Sequence, residues 1–290
     1  MTRLTSNLVQ SMAESLLLYD QELIRKTGHS LLQIACRAAR LEEAEMRRLL
    51  GSSPVGVVPV TSGGGVIEGF CQAVQGLASH LGATSFVTGA ADVAGLAEAV
   101  ERGAGVIFLA DDDRFIALEM LSRTVVDNSE ATARGYLAAL NLLAGGLKGR
   151  RVLVIAAGRV GRKALAVLQE YGARAGVYDP DREKTLTLTT KGEVAIERDL
   201  EKALENYSLL LEASPAPGII QERHLKPDTI IAACGIPLGL SPAAVALVGD
   251  RLIHDPLQIG VATMLAMALS SRRKNARGVD RKDPIDPKSM

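Results

Sequence analysis

The sequence predicts an α/β protein in two parts: an N-terminal helical plus small α/β domain, then a C-terminal doubly wound domain. Three observations carry this expectation. Residues 5–50 show only helical spacing, with Leu16, Leu17, Ile24, Leu31, Leu32, Ile34 and Leu41 supplying the apolar faces. From Val55 onward, short apolar runs alternate with helix-like segments, the pattern of strands joined by helical crossovers. Finally, a glycine turn, Gly158-Arg-Val-Gly161, stands between the apolar run Val152–Ile155 and a helical pattern at Ala164, Leu165, Val167 and Leu168.

Each element follows from local chemistry. Thr27-Gly28-His29-Ser30 breaks the first helical region, and Ser30 is placed to cap the next helix. The runs at residues 55–60, 85–88 and 105–110 are β-type, and the segments between them suggest parallel strands. A helix rich in Ala and Leu, from about Glu130 to Leu143, ends at Gly145-Gly146 and connects the halves. Six further runs follow, at residues 152–155, 174–178, 193–196, 208–212, 229–233 and 251–254, and a last helix over 261–269 is expected to pack back toward the first half. The expected boundaries are 1–145 for the substrate-side domain, 146–270 for the doubly wound domain and 271–290 for a disordered tail rich in Lys and Arg.

Composition narrows the function classes. Lys plus Arg equals Asp plus Glu at 33 each, so the chain has no overall basic footprint for nucleic acid. Hydrophobic content of 47% supplies real cores for 290 residues. Cys36, Cys71 and Cys234 match no metal spacing, no His pair is suitably placed, and no metal is expected. Nor is a secretory leader or membrane span, so a cytoplasmic protein is expected, with a homodimer left open; a small-molecule substrate is what the cleft residues and the resemblance below imply.

The glycine turn carries the first chemical reading. Strand, glycine turn and helix in that order open a dinucleotide-binding βαβ unit of Rossmann type. Gly158 would let the backbone approach a pyrophosphate, Gly161 would let the helix pack on the strand, and the helix start at Arg159 and Val160 offers free N–H groups. The first glycine of the usual pattern is Ala156 here; the positive φ is expected to fall mostly on the later positions. Asp179, at the end of the next strand, is placed to accept the ribose hydroxyls, and its charge opposes a 2′-phosphate, favouring NAD over NADP. The strand ends at Ser214-Pro-Ala-Pro217 and Cys234-Gly-Ile-Pro237 are small, proline-stiffened loops, so Ser214, Pro215, Cys234 and Gly235 are expected to contact the cofactor.

In the first half, Thr61 and Ser62 read either as carboxylate binders or as helix caps. Asp111-Asp-Asp113 follows a buried run. Asp112 and Asp113 read as caps for a following helix, and Asp111 as the carboxylate facing the cleft, suited to pairing with an amine or taking its proton. His254 precedes Asp255 at a strand end and is a weaker candidate.

Taken in order, several of these motifs match a known pattern: Val57-Val-Pro-Val-Thr-Ser-Gly63, Phe86-Val-Thr88 with Asp92-Val93, Leu109-Ala-Asp-Asp112, Asn128, Gly158-Arg-Val-Gly161, Tyr178-Asp179, Glu212-Ala-Ser-Pro215 and Pro256-Leu-Gln-Ile-Gly260. Over about residues 1–269 the chain resembles the PylD family. The resemblance implies an NAD-dependent dehydrogenase of the last step of pyrrolysine biosynthesis. Such an enzyme oxidises the terminal primary amine of L-lysine-Nε-3-methyl-D-ornithine to an imine and semialdehyde that cyclises to the pyrroline ring. It also implies Ser62, Asp111, Asn128 and Asp255 around the substrate, with Asp111 and Asp255 as catalytic carboxylates, and Gly158, Arg159, Val160 and Asp179 on the cofactor. The chain departs from the family at Asp255, where the family carries Glu. Two other readings stay open: another NAD(P)-dependent dehydrogenase like the dipicolinate synthase A subunit, and a non-catalytic NAD-sensing module.

Overall fold

The computed structural model describes residues 12–64, 67–188 and 194–279. Among the described residues three helices come first: α1 (Met12–Thr27), α2 (Leu31–Ala39) and α3 (Glu43–Gly51). Ser30 caps α2 as expected, its Oγ accepting the Gln33 N–H while the Gln33 side chain accepts the Ser30 N–H. The expected helical residues 5–11 lie outside the described residues.

A five-stranded sheet follows, built from β1 (Val55–Val58), β2 (Ser85–Val87), β3 (Val106–Ala110), β4 (Phe115–Glu119) and β5 (Thr124–Asp127), in the order β2-β1-β3-β4-β5. Helices α4 (Phe70–His80) and α5 (Asp92–Glu101) cross between its parallel members. The sheet is not wholly parallel as expected: β3, β4 and β5 are antiparallel neighbours. Asp111–Arg114 is therefore a hairpin turn, not the start of a helix. Asp111 Oδ1 accepts the N–H groups of Asp113 and Arg114, an Asp side chain closing its own turn.

Helix α6 (Asn128–Leu143) leads to the second sheet, starting two residues before its expected position with Asp127 as its cap. The six expected runs become β6 (Arg151–Ile155), β7 (Arg174–Tyr178), β8 (Val194–Glu197), β9 (Leu209–Glu212), β10 (Ile230–Ala233) and β11 (Leu252–His254); Glu193 lies outside the described residues. All neighbours are parallel, in the order β11-β10-β9-β6-β7-β8. This is the doubly wound Rossmann order, with its switch point between β6 and β9. The crossover helices are α7 (Arg159–Glu170), α8 (Arg182–Leu186), α9 (Leu200–Asn206) and α10 (Pro242–Val248).

The central strands β6, β9 and β10 of the second sheet are largely apolar because both faces are covered, whereas the edge strand β8 is half exposed. Val152 and Val154 of β6 join the large core between the sheets, while Leu153 and Ile155 join an outer core with Leu204, Ala244 and Val248. That large core also takes in Phe108, Phe115 and Ala117 of the first sheet, so the two inner faces share one apolar interior.

Helix α11 (Gln258–Val279) fills that interior, packing on α2, α6, β4 and β5. It crosses α6 at two glycines: a Cβ on Gly135 would lie 2.5 Å from Ile259 Cγ2, and one on Gly260 would lie 3.2 Å from Asn128 Oδ1. The helix continues to Val279, beyond the expected start of a disordered tail at residue 271. Arg272, in that stretch, pairs with the buried carboxylate of Glu119 and donates to Ser53 Oγ. Residues 280–290 lie outside the described residues. No described helix is long and apolar enough to cross a membrane.

Candidate active site

Strand register lines up the site. Ile155 pairs with Glu212, Glu212 with Ala233, and Ala233 with His254. The next residues along, Ala156, Ala213, Cys234 and Asp255, consequently stand in a row beyond the C-terminal ends of four parallel strands, where ligands bind in such sheets. Across from them stand the β3–β4 turn and the start of α6. The space between is a cleft of about 490 Å³.

The cleft collects most of the residues singled out in the sequence. Asp111, Asn128, Gly158, Arg159, Val160, Ser214, Pro215, Cys234, Gly235 and Asp255 all line it. Ser62 does not; it sits on an exposed bend after β1. Its neighbour Thr61 binds the carboxylate of Asp92 through both N–H and hydroxyl, and α4 starts only at Phe70, so neither Thr61 nor Ser62 caps that helix. Gly161 and Asp179 lie outside the lining, Gly161 packed beneath the turn and Asp179 at the end of β7. His254 turns away, its Nδ1 bonded to the Ala233 carbonyl at 2.8 Å.

The glycine turn has the shape of a phosphate cradle. A Cβ on Gly161 would stand 1.9 Å from the Ala156 carbonyl oxygen, so only glycine permits this approach of α7 to β6. Around Gly158 a Cβ would meet nothing within 4 Å, and no side chain caps α7. The positive φ falls on Ala156, at 83°, against the expectation that later positions would carry it; Gly158 has φ −73°. Asp179 is buried, with Oδ2 accepting the Ala157 N–H at 2.8 Å and Oδ1 accepting that of Asp181 at 2.9 Å. Lys184 Nζ stands 3.8 Å from it, a cation that the sequence reading did not single out. Arg159 reaches across the cleft to the Asp113 carbonyl.

The two candidate carboxylates stand in opposite electrostatic surroundings. Asp111 is exposed, and the N–H groups of Arg114 and Asp113 hold its carboxyl below the ordinary range. Asp255 is buried at the head of α11; burial pushes its carboxyl up, while Tyr19, His254, the Ile259 amide and Tyr136 pull it back. Its Oδ1 accepts the Leu257 and Ile259 N–H groups, and its Oδ2 accepts the Tyr19 hydroxyl at 2.6 Å. The Tyr136 hydroxyl donates to the Asp255 carbonyl and accepts its N–H. Burial and then Glu212 raise the Cys234 thiol well above its usual value, which disfavours the thiolate.

Tyr19 and Tyr136 were not singled out in the sequence, and Glu212 was given no role. The tyrosines meet Asp255 from 236 and 119 residues away, with no local motif to mark them. Glu212 was visible as a charge ending an otherwise apolar strand and as the first residue of the Glu212-Ala-Ser-Pro215 motif. It is fully buried, Oε1 accepts the Ser214 N–H at 2.6 Å, and Oε2 has no partner. A Cβ on Gly235 or Gly239 would come within 2.5 Å of its carboxylate, so both loops close tightly over it.

Comparison with known proteins agrees with this architecture. Quinate dehydrogenase from Corynebacterium glutamicum, solved in complex with NAD, superposes with a TM-score of 0.51 at 12% identity, covering 79% of this chain and 99% of its own. The likeness shows a Rossmann-type α/β fold. Residues 9–126 match the family model for the N-terminal domain of the pyrrolysine biosynthesis protein PylD. Pyrrolysine synthase from Methanosarcina acetivorans is 33% identical over 253 residues, spanning 85% of this chain and 96% of that protein. The one from Methanosarcina barkeri is 34% identical over 220 residues, 75% and 82% of the two chains. The chain belongs to the PylD family of pyrrolysine synthases.

Proposed function

We propose that this chain is an NAD-dependent oxidoreductase of pyrrolysine biosynthesis, oxidising the terminal primary amine of L-lysine-Nε-3-methyl-D-ornithine. The observation that carries the reading is one cleft whose lining includes four carboxylates, with Asp111 and Asp255 on its opposite sides, together with the uncapped start of α7. Carboxylates draw a cationic amine, and free helix N–H groups draw a pyrophosphate. The turn fits such a cofactor because Gly158 leaves open space and Gly161 permits close packing. Gly158, Arg159 and Val160 would hold the pyrophosphate, Asp179 the ribose hydroxyls, and Ser214, Pro215, Cys234 and Gly235 the nicotinamide side. Bound there, the nicotinamide ring supplies the hydride acceptor.

The carboxylates divide the work according to their surroundings. Asp111, held ionised, pairs with a substrate ammonium. Asp255, with its carboxyl raised by burial, takes the proton from the reacting ammonium at Oδ2. With the nitrogen neutral, the C–H pair on the adjoining carbon leaves as hydride and the nitrogen lone pair closes a C=N bond. Water adds to that imine and ammonia departs, leaving an aldehyde. The aldehyde condenses with the ornithine α-amine, expelling water and closing the ring.

The test is incubation of the protein with NAD⁺ and lysine–methylornithine. Absorbance at 340 nm should rise with a product lighter by ammonia and two hydrogens; NAD⁺ binding without either change overturns the reading. Cofactor choice is tested separately. Asp179→Asn keeps an acceptor oxygen and removes the charge, so use of NADP⁺ relative to NAD⁺ should rise about tenfold. Equal use of both cofactors by the unmodified protein would show that Asp179 does not discriminate.

A further inference from the structure

We propose that Tyr19, on the N-terminal helix, is a positioning residue for the oxidation: its hydroxyl holds Asp255 Oδ2 so that the remaining lone pair faces the cleft. The inference rests on the reading of Asp255 as proton acceptor and adds a residue from the far end of the chain to the site.

The geometry leaves Asp255 little freedom. Oδ1 is committed to the first turn of α11 through the Leu257 and Ile259 N–H groups, at 3.0 and 3.2 Å. Tyr136 fixes the backbone on both sides of the residue, at 2.6 and 3.1 Å. Oδ2 is the oxygen left for chemistry, and Tyr19 donates to it. Helix α1 is itself clamped to the second sheet, so Tyr19 is a fixed donor. Lys26 Nζ donates to the Leu252 carbonyl at 2.6 Å, and Arg25 pairs with Asp250. On the other side, Asp20 Oδ1 accepts the Leu31 N–H at 2.6 Å, tying α1 to the head of α2.

Charge points the same way. The groups facing Asp255 are Tyr19 from α1, Tyr136 from α6, the Ile259 amide of α11, His254 on its own strand and Cys234 at the end of β10. Among those that favour the carboxylate, the Tyr19 hydrogen bond is the largest, opposing burial. Without it Asp255 holds its proton to higher pH, and Oδ2 loses its fixed donor while Oδ1 stays bonded to the Leu257 and Ile259 amides.

Tyr19→Phe keeps the ring and removes the hydroxyl. Carbon-13 NMR of the aspartate carboxyls should show Asp255 titrating at higher pH in the variant, whatever the reaction catalysed. In turnover, kcat should fall about tenfold or more, its acidic limb should move to higher pH, and KM for NAD⁺ should stay put. In an Asp255→Asn background, Tyr19→Phe should cost nothing further. Lys26→Met, which loosens α1 without touching Tyr19, separates donor loss from helix displacement and should leave the acidic limb in place. An unmoved Asp255 titration, multiplying losses in the double variant, or a Lys26→Met profile like that of Tyr19→Phe each overturns the proposal. If the unmodified protein gives no turnover with the amine, the functional reading fails, and the NMR titration still decides the role of Tyr19.

Discussion

At the scale of single residues, two side chains sit where a simpler choice would be more stable. Ala156 has φ 83°, a left-handed conformation that costs an L-residue about 1–2 kcal/mol. Ala156→Gly removes that strain and returns part of it as unfolded-chain entropy, so urea unfolding should show a net gain of about 0.5–1 kcal/mol. A loss of stability would mean that the methyl group packs usefully in the turn. Glu212 is the second case. Burial pushes its carboxyl up to about 7, against the pull of the Ser214, Gly239 and Gly235 amides. A carboxyl with a folded pKa above its unfolded value favours folding at low pH and loses that contribution as pH rises through the folded value. Relative to Glu212→Gln, the unmodified protein should therefore lose ~3 kcal/mol between about pH 4.5 and 7, then hold a constant difference. Parallel pH–stability curves for the two proteins would contradict this. The residue scale is also where the sequence was least legible. Gly161 and Asp179 announce themselves by spacing, whereas Tyr19 and Tyr136 matter only through contacts the folded chain creates.

At the scale of elements, legibility followed burial. The central strands of the second sheet are covered on both faces and read as apolar runs, and β6 to β11 emerge from the sequence almost residue for residue, the half-exposed edge strand β8 included. Strands β4 and β5 do not: Phe115–Glu119 alternates buried and half-buried residues, and the acidic run before it resembles a helix start more than a turn. The crossing of α6 and α11 was invisible for another reason, since nothing in either helix says that Gly135 must face Ile259. Gly135→Ala tests that contact. The added methyl would sit 2.5 Å from Ile259 Cγ2 and from Thr263 Oγ1. Overpacking of this kind costs about 1–3 kcal/mol, while helix propensity returns up to about 1. A net loss of about 1–2 kcal/mol in denaturant unfolding is expected; a gain would show that the helices separate easily.

For the whole molecule, the decisive fact is that both sheets and the helices between them share one interior, closed by α11. Arg272 fastens that helix by pairing with Glu119, whose side chain is 0% exposed. Arg272→Ala would strand this carboxylate without its cation, and stability should fall by about 3 kcal/mol. Pairing the change with Glu119→Gln should recover much of that loss; no recovery would assign the cost to packing of the arginine stem instead. The position of α11 in the chain carries a consequence for synthesis. Phe115, Ala117 and Val126 leave the ribosome long before residues 258–279 exist to cover them. The first sheet must wait, half-dressed, for the last helix to be translated, and nascent chains stopped short of Gln258 should remain open to proteases and in need of chaperones until that helix arrives.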